Sequence, residues 1–176
     1  NNNYIFKIEV EETAAVEEPV VKEYELDGAK LETAAAGKFT DGQTVAAGTD
    51  NAFTLYMSAK TKIDSSSKTW DDGFAGTQRI NFGEGTTTAK NAIRFTTEGT
   101  ATVTVWWACG DAGREVTILD KDGKAVATTS EGLAKNAMAI STLTIPEAGT
   151  YYLGNTPKSN YIFKVAVTHT VEVTGG

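Results

Sequence analysis

The chain has 176 residues, of which 22% are charged and only three are prolines, a formal net charge of −7, and a composition weighted toward Thr, Ala, Gly and Val. That length suits one domain with a buried core, and the composition is that of a folded all-β protein and not of a disordered one. The acidic surface argues against nucleic acid and anionic membranes as partners, the lone Cys109 leaves no intrachain disulfide, and no apolar run is long enough to cross a bilayer.

The chain opens NNNYIFK, without a methionine or a signal-peptide pattern and in what reads as mid-strand, so a piece of a longer protein is expected. Tyr4 to Val10 alternates as a strand does, with Tyr4, Phe6, Ile8 and Val10 on one face. Asn3 to Lys7 (NYIFK) returns word for word at Asn160 to Lys164. Two readings follow. Residues 1–19 are the closing strand of a preceding unit plus an acidic linker (Glu11 to Pro19), leaving 20–174 as the main β-sandwich; or the two copies are sister strands of one sandwich. A free strand at residues 4–10 is also able to pair with a sheet edge of a neighbouring module or a second copy.

Further along, Val20 to Leu26 reads as a strand and Asp27 to Ala36 as a turn of helix, followed by a polar loop through Asp50. In Ala52 to Ser58, Phe53, Leu55 and Met57 point inward while Thr54 and Tyr56 point outward. Lys60 to Asp64 reads as a short partner strand and Ser65 to Gly76 as a loop carrying Trp70. Thr77 to Phe82 sets Ile80 and Phe82 inward and Arg79 and Asn81 outward, and Asn91 to Thr97 sets Ile93 and Phe95 inward and Arg94 outward. In Ala101 to Cys109, Val103, Val105 and Trp107 share a core face, which puts Trp106 on the outer surface. Strands at Val116 and Ile118, Ala125 to Ser130, Met138 to Ile145, Thr150 to Gly154, Tyr161 to Val167 and His169 to Val173 complete the chain, with a hairpin turn at Asp122-Gly123. Ten to twelve short strands and almost no helix describe an all-β sandwich of the jelly-roll kind.

Three stretches carry a resemblance: Gly76 to Trp107 with the Gln78-Arg79 strand, Gly113 to Lys124 with Arg114 opening a strand before the Asp-Gly hairpin, and Ile145 to Val167 with its proline-led AGTYYL hairpin. Over roughly Lys22 to Val167 the chain resembles the accessory β-sandwich modules appended to pectate lyases and other carbohydrate-active proteins, starch-adherence proteins among them, of gut Firmicutes. The resemblance implies a β-sandwich with an extracellular, polysaccharide-directed role. The Trp106-Trp107 pair departs from the family pattern, where a smaller residue or a lone tyrosine is usual.

An indole held on a strand in open water is costly unless covered, and sugar rings lay their apolar faces on such rings. The candidate ligand-binding residues are therefore Trp106 and Trp70 as platforms, with Tyr56, Arg79, Asn81 and Arg94 as outward partners if their strands share the sheet of Trp106. Packing of Trp106 under a loop, and of Trp70 as a plug at the end of the sandwich, are the structural alternatives. Net acidity ranks a neutral α-glucan such as starch ahead of pectin, a polyanion, although Arg79 and Arg94 together would make a small basic patch. A spacer or protein-interaction module is the rival from another class. Catalysis has little support, since His169 and Cys109 are each alone and Asp71-Asp72 are sequence neighbours on a loop. No cofactor is expected. Asp41, Asp50, Asp71 and Asp72 carry oxygens of the kind a structural calcium takes but lack the spacing of a calcium loop, and solvated loops are the other reading.

Overall fold

The computed structural model describes residues 2–10 and 19–171. Among these, twelve strands form two antiparallel sheets: β1 (Val20–Asp27), β2 (Thr44–Ala47), β3 (Phe53–Tyr56), β4 (Lys62–Thr69), β5 (Ala75–Asn81), β6 (Ala92–Thr97), β7 (Ala101–Ala108), β8 (Glu115–Leu119), β9 (Ala125–Thr128), β10 (Met138–Ile145), β11 (Gly149–Thr156) and β12 (Tyr161–Val171). Sheet A runs β10-β7-β12-β5-β4, with β1 also paired to β12; sheet B runs β2-β3-β6-β11-β8-β9. From β5 onward the chain changes sheets at every connection except β8–β9, the winding of a jelly roll.

The alternation read from the sequence places the core. Phe53, Leu55, Met57, Ile80, Phe82, Ile93, Val103, Val105 and Trp107 are buried in one cluster between the sheets. The indole N–H of Trp107 donates to Ser141 Oγ at 2.9 Å, and Ser141 Oγ donates to Glu131 at 2.8 Å, so the largest core side chain brings its own polar satisfaction. Strand β7 lies between β10 and β12, in a register that sets Trp106 between Ile140 and Lys164 on the outer face of sheet A.

Four sequence expectations change. Tyr4–Val10 is not a strand: residues 2–10 carry no regular structure and are exposed throughout, because their backbone has no ladder partner. The expected loop at Ser65–Gly76 is instead the second half of β4, a tight turn and the start of β5; its serines, polar on an edge strand, imitate a loop in composition. The polar stretch before Asp50 contains β2 and a short 3₁₀ turn at Thr49–Asn51. The two expected terminal strands are one, β12, continuous from Tyr161 to Val171. The expected helical turn after β1 is a 3₁₀ turn at Gly28–Lys30, capped by Asp27. The expected linker falls outside the described residues except for Pro19.

Strand β12 also holds a β-bulge between Ile162 and Lys164. The extra residue, Phe163, escapes the alternation and joins the outer side, where it packs with Trp70 and Trp106 instead of the main core.

Candidate functional site

On the outer face of sheet A, the exposure expected of the two tryptophans is corrected. Trp106 is 9% exposed and Trp70 4%. They form a second, smaller apolar cluster with Ala108, Phe163 and Ala166, covered by Phe74 and Tyr161. The cover is the turn between β4 and β5, which curls back over the sheet. Trp70 packs edge-on against Phe163 at 4.8 Å, Phe74 meets Trp106 at 5.9 Å, and the Trp70 indole N–H donates to the Ala139 carbonyl at 3.0 Å. Gly76 permits this close approach, since a Cβ there would lie 2.6 Å from the Phe163 ring.

Asp72 locks the arrangement, accepting from the Phe74 backbone N–H at 2.9 Å and from the Trp106 indole N–H at 2.8 Å. These two donors, the Phe74 N–H first, hold its carboxyl below the usual carboxylate range. Lys164 closes the remaining side, its ammonium 4.6 Å from the Trp106 ring and 3.3 Å from Glu25. Both Trp side chains are thus packed and hydrogen-bonded within the fold.

The six candidate residues divide between the two sheets. Arg79 and Asn81, on β5, share sheet A with Trp106. Arg79 Nε donates to Asp64 at 2.9 Å while its guanidinium lies 4.0 Å over the Tyr161 ring. Asn81 accepts from Ser159 Oγ and from the Gly83 N–H, closing a turn. Tyr56, on β3, and Arg94, on β6, belong to sheet B. The basic patch expected of Arg79 and Arg94 therefore does not form, because the two guanidiniums sit on opposite sheets.

Sheet B presents the arrangement that the sequence reading sought on sheet A. Its register lines up Thr54, Arg94, Tyr152 and Leu119 across β3, β6, β11 and β8, with Tyr56 one row away opposite Ala92. The rings of Tyr56 and Tyr152 meet at 5.9 Å and 62°, and the Arg94 guanidinium is 5.5 Å from the Tyr56 ring. All three are half-buried, and threonines 44, 54, 96 and 150 surround them on the same face. The β5–β6 loop, residues 82–91, reaches β11 at Gly154 and Asn155. Thr86 exchanges hydrogen bonds with Asn155 at 2.9 and 2.8 Å, and its side chain fills the space that any Cβ on Gly154 would need. Tyr152 was not singled out by the sequence reading; the usable signal was alternation in TYYLG, which turns Tyr151 into the core and Tyr152 out.

No family model matches the chain and no curated protein matches it. Solved structures do. One, from a study of expanded glycan recognition in the Ruminococcus flavefaciens cellulosome, is 18% identical, with a TM-score of 0.48 over 88% of this chain and 100% of that one. The C-terminal carbohydrate-binding module of the laminarinase LamC of Zobellia galactanivorans is 8% identical, with a TM-score of 0.37 over 84% and 99%. A carbohydrate-binding module of Cellvibrio mixtus lichenase 5A, solved with cellotriose, is 9% identical, with a TM-score of 0.38 over 81% and 94%.

Asp41 and Glu84 are engaged locally. Asp41 accepts from the Ala59 N–H at 3.0 Å and lies 3.5 Å from Lys90, which together hold its carboxyl low. Lys90 lies between Asp41 and Glu84, and both raise its affinity for its proton. No group of three metal-ligating side chains is assembled among the described residues. The Cys109 thiol is buried, donating to the Asp111 carbonyl at 2.9 Å, and Arg114 ties a sheet end by donating to the Ser159 carbonyl at 2.7 Å.

Proposed function

We propose that the chain is a non-catalytic polysaccharide-binding module of an extracellular protein, taking a neutral glucan, an α-glucan ahead of pectin, on the outer face of sheet B. The observation that carries this reading is the half-exposed pair Tyr56 and Tyr152 flanking Arg94 in a field of threonine hydroxyls. Ring faces cover the apolar faces of sugars, and hydroxyls and the guanidinium bond the sugar hydroxyls. Covering about 40 Å² on each half-buried ring at about 25 cal/mol per Å² contributes roughly 1 kcal/mol per ring. With a few hydrogen bonds, and after the cost of ordering a flexible glycan, a dissociation constant of about 1 mM follows. A neutral ligand is favoured over polyanionic pectin by the acidic chain, the separation of Arg79 from Arg94 and the pairing of Lys90 with carboxylates.

The test is affinity electrophoresis in native gels with amylopectin, with pectin and with no polysaccharide. Retardation by amylopectin is expected, lost in Tyr152→Ala and weakened in Tyr56→Ala while circular dichroism stays unchanged. A parent protein that migrates identically in all three gels overturns the reading.

A second reading, that the chain also serves as a spacer or protein-interaction unit, is favoured by residues 4–10. Phe6 is 93% exposed there and Tyr4, Ile5, Ile8 and Val10 at least 73%. On this reading the segment pairs with a sheet edge of a neighbouring module or a second copy.

A further inference from the structure

Each residue of the word NYIFK has its own contact in β12. Asn160 is buried, its side chain accepting from the Gly110 N–H at 2.8 Å and donating to the Glu115 carbonyl at 3.1 Å. Tyr161 lies under the Arg79 guanidinium, Ile162 faces the main core, Phe163 enters the outer cluster through the bulge, and Lys164 stands beside the Trp106 ring. Val165 and Val167 return to the core. The first copy of the word, Asn3 to Lys7, continues with Ile8 and Val10, yet all of residues 2–10 are exposed. The bulge also changes how that segment reads. Strict alternation sets Tyr4, Phe6, Ile8 and Val10 on one face and leaves Ile5 on the other with Lys7 and Glu9. The β12 pattern, with its one extra residue, sets Ile5, Ile8 and Val10 toward a core and Phe6 into an outer cluster. Every apolar side chain then has an apolar seat, and only Glu9, where β12 has Ala166, differs in kind.

The seat such a strand needs is interior. β12 is flanked by β7 on one side and by β5 and β1 on the other, so it is not an edge that a passing strand extends. A second copy of this chain has that seat filled by its own β12. We infer that residues 3–10 are the leading half of the closing strand of another sandwich of this type, preceding this one in the same polypeptide. The surface they fit is the slot between that unit's counterparts of β7 and β5, under an arginine and beside a tryptophan and phenylalanine cluster. Asn3 and Asn160 are 157 positions apart, which places the counterparts of Trp70, Arg79 and Trp106 about 157 positions before each of them. The inference rests on the reading of residues 4–10 as an interaction segment, replacing pairing at an exposed edge by insertion into an interior seat, and not on glycan binding.

Amide hydrogen exchange read by mass spectrometry tests this, on the present chain and on the polypeptide extended N-terminally through one repeat of its natural sequence. Residues 3–10 are expected to exchange as unstructured chain in the first and at least about 100-fold more slowly in the second, approaching residues 160–167. Phe6→Asp in the extended polypeptide removes that protection and lowers the melting transition of the preceding unit alone. Fast exchange in both polypeptides overturns the inference, as does a preceding sequence that lacks a β-sandwich pattern with those aromatic counterparts. Protection that appears in the present chain alone, together with self-association, also overturns it and leaves edge pairing with a second copy standing, so the two readings fail separately. A variant of the present chain gives a second test. Val165→Ile with Ala166→Glu turns residues 160–167 into the sequence of residues 3–10; Glu25→Gln is added because Glu25 pairs directly opposite Ala166. The triple variant is expected to unfold cooperatively, with the Trp70 and Trp106 indole N–H signals near their parental positions. A triple variant that does not fold overturns the inference.

Discussion

Trp106→Ala separates a packing role from a ligand platform. The structure assigns the indole to the cluster beneath Phe74, 9% exposed and hydrogen-bonded to Asp72. An indole contributes about 150–250 Å² of buried surface, and truncating a buried tryptophan costs about 3–5 kcal/mol. The lower end is expected here, because the covering turn is able to settle into the gap and Asp72 reaches water directly. For a chain of this size each kcal/mol is worth about 2–4 °C, so Tm should fall by roughly 6–12 °C for a loss of about 3 kcal/mol. Urea unfolding followed by far-UV circular dichroism measures the loss, and native gels run well below the reduced Tm measure binding. The expected outcome is a destabilised module that amylopectin still retards. A variant within about 1 kcal/mol of the parent that no longer responds to amylopectin would refute the assignment, and Trp106 would be a platform after all.

Two further expectations concern the same cluster and the N-terminal segment. The folded pKa of Asp72 lies below its unfolded value, so its contribution is fully present above the ordinary carboxylate pKa near 4 and is lost as pH falls through the lower, folded value. Of the three indole N–H signals in a ¹H–¹⁵N spectrum, that of Trp106 should therefore move selectively below about pH 4; an unaltered titration of that signal in Asp72→Asn would assign the acid response to another group. Removing residues 1–10 should leave Tm unchanged, since their side chains are exposed throughout the described part of the segment. If residues 4–10 pair with a second copy, sedimentation equilibrium shows self-association in the intact chain that the deletion abolishes; a monomer in both cases sinks pairing between copies.

Repeated residue types do not repeat a structure by themselves. The five residues NYIFK occur twice, and only the second copy is a strand, because β7, β5 and β1 offer it backbone partners. Pairing is a property of the neighbours, and a strand without a ladder leaves its hydrogen bonds to water. The serine-rich half of β4 makes the converse point: an edge strand needs few apolar residues, so its composition reads as loop although β5 pairs with it.

What the sequence alone determined is what local geometry carries. A side-chain period of two assigned the faces of β3, β5, β6 and β7, including Trp107 inward and Trp106 outward, and with them the sandwich class. Whether an outward side chain meets water was decided elsewhere. Trp106 is covered by Phe74 and secured by Asp72, 32 and 34 positions earlier in the chain, and Phe163 reaches the same cluster through a bulge that breaks the period. The division of Arg79 and Arg94 between opposite faces and the pairing of Tyr152 with Arg94 across β11 and β6 likewise depend on strand order. Strand order joins residues far apart in sequence, so no local pattern records it; only the assembled sheets place those side chains together.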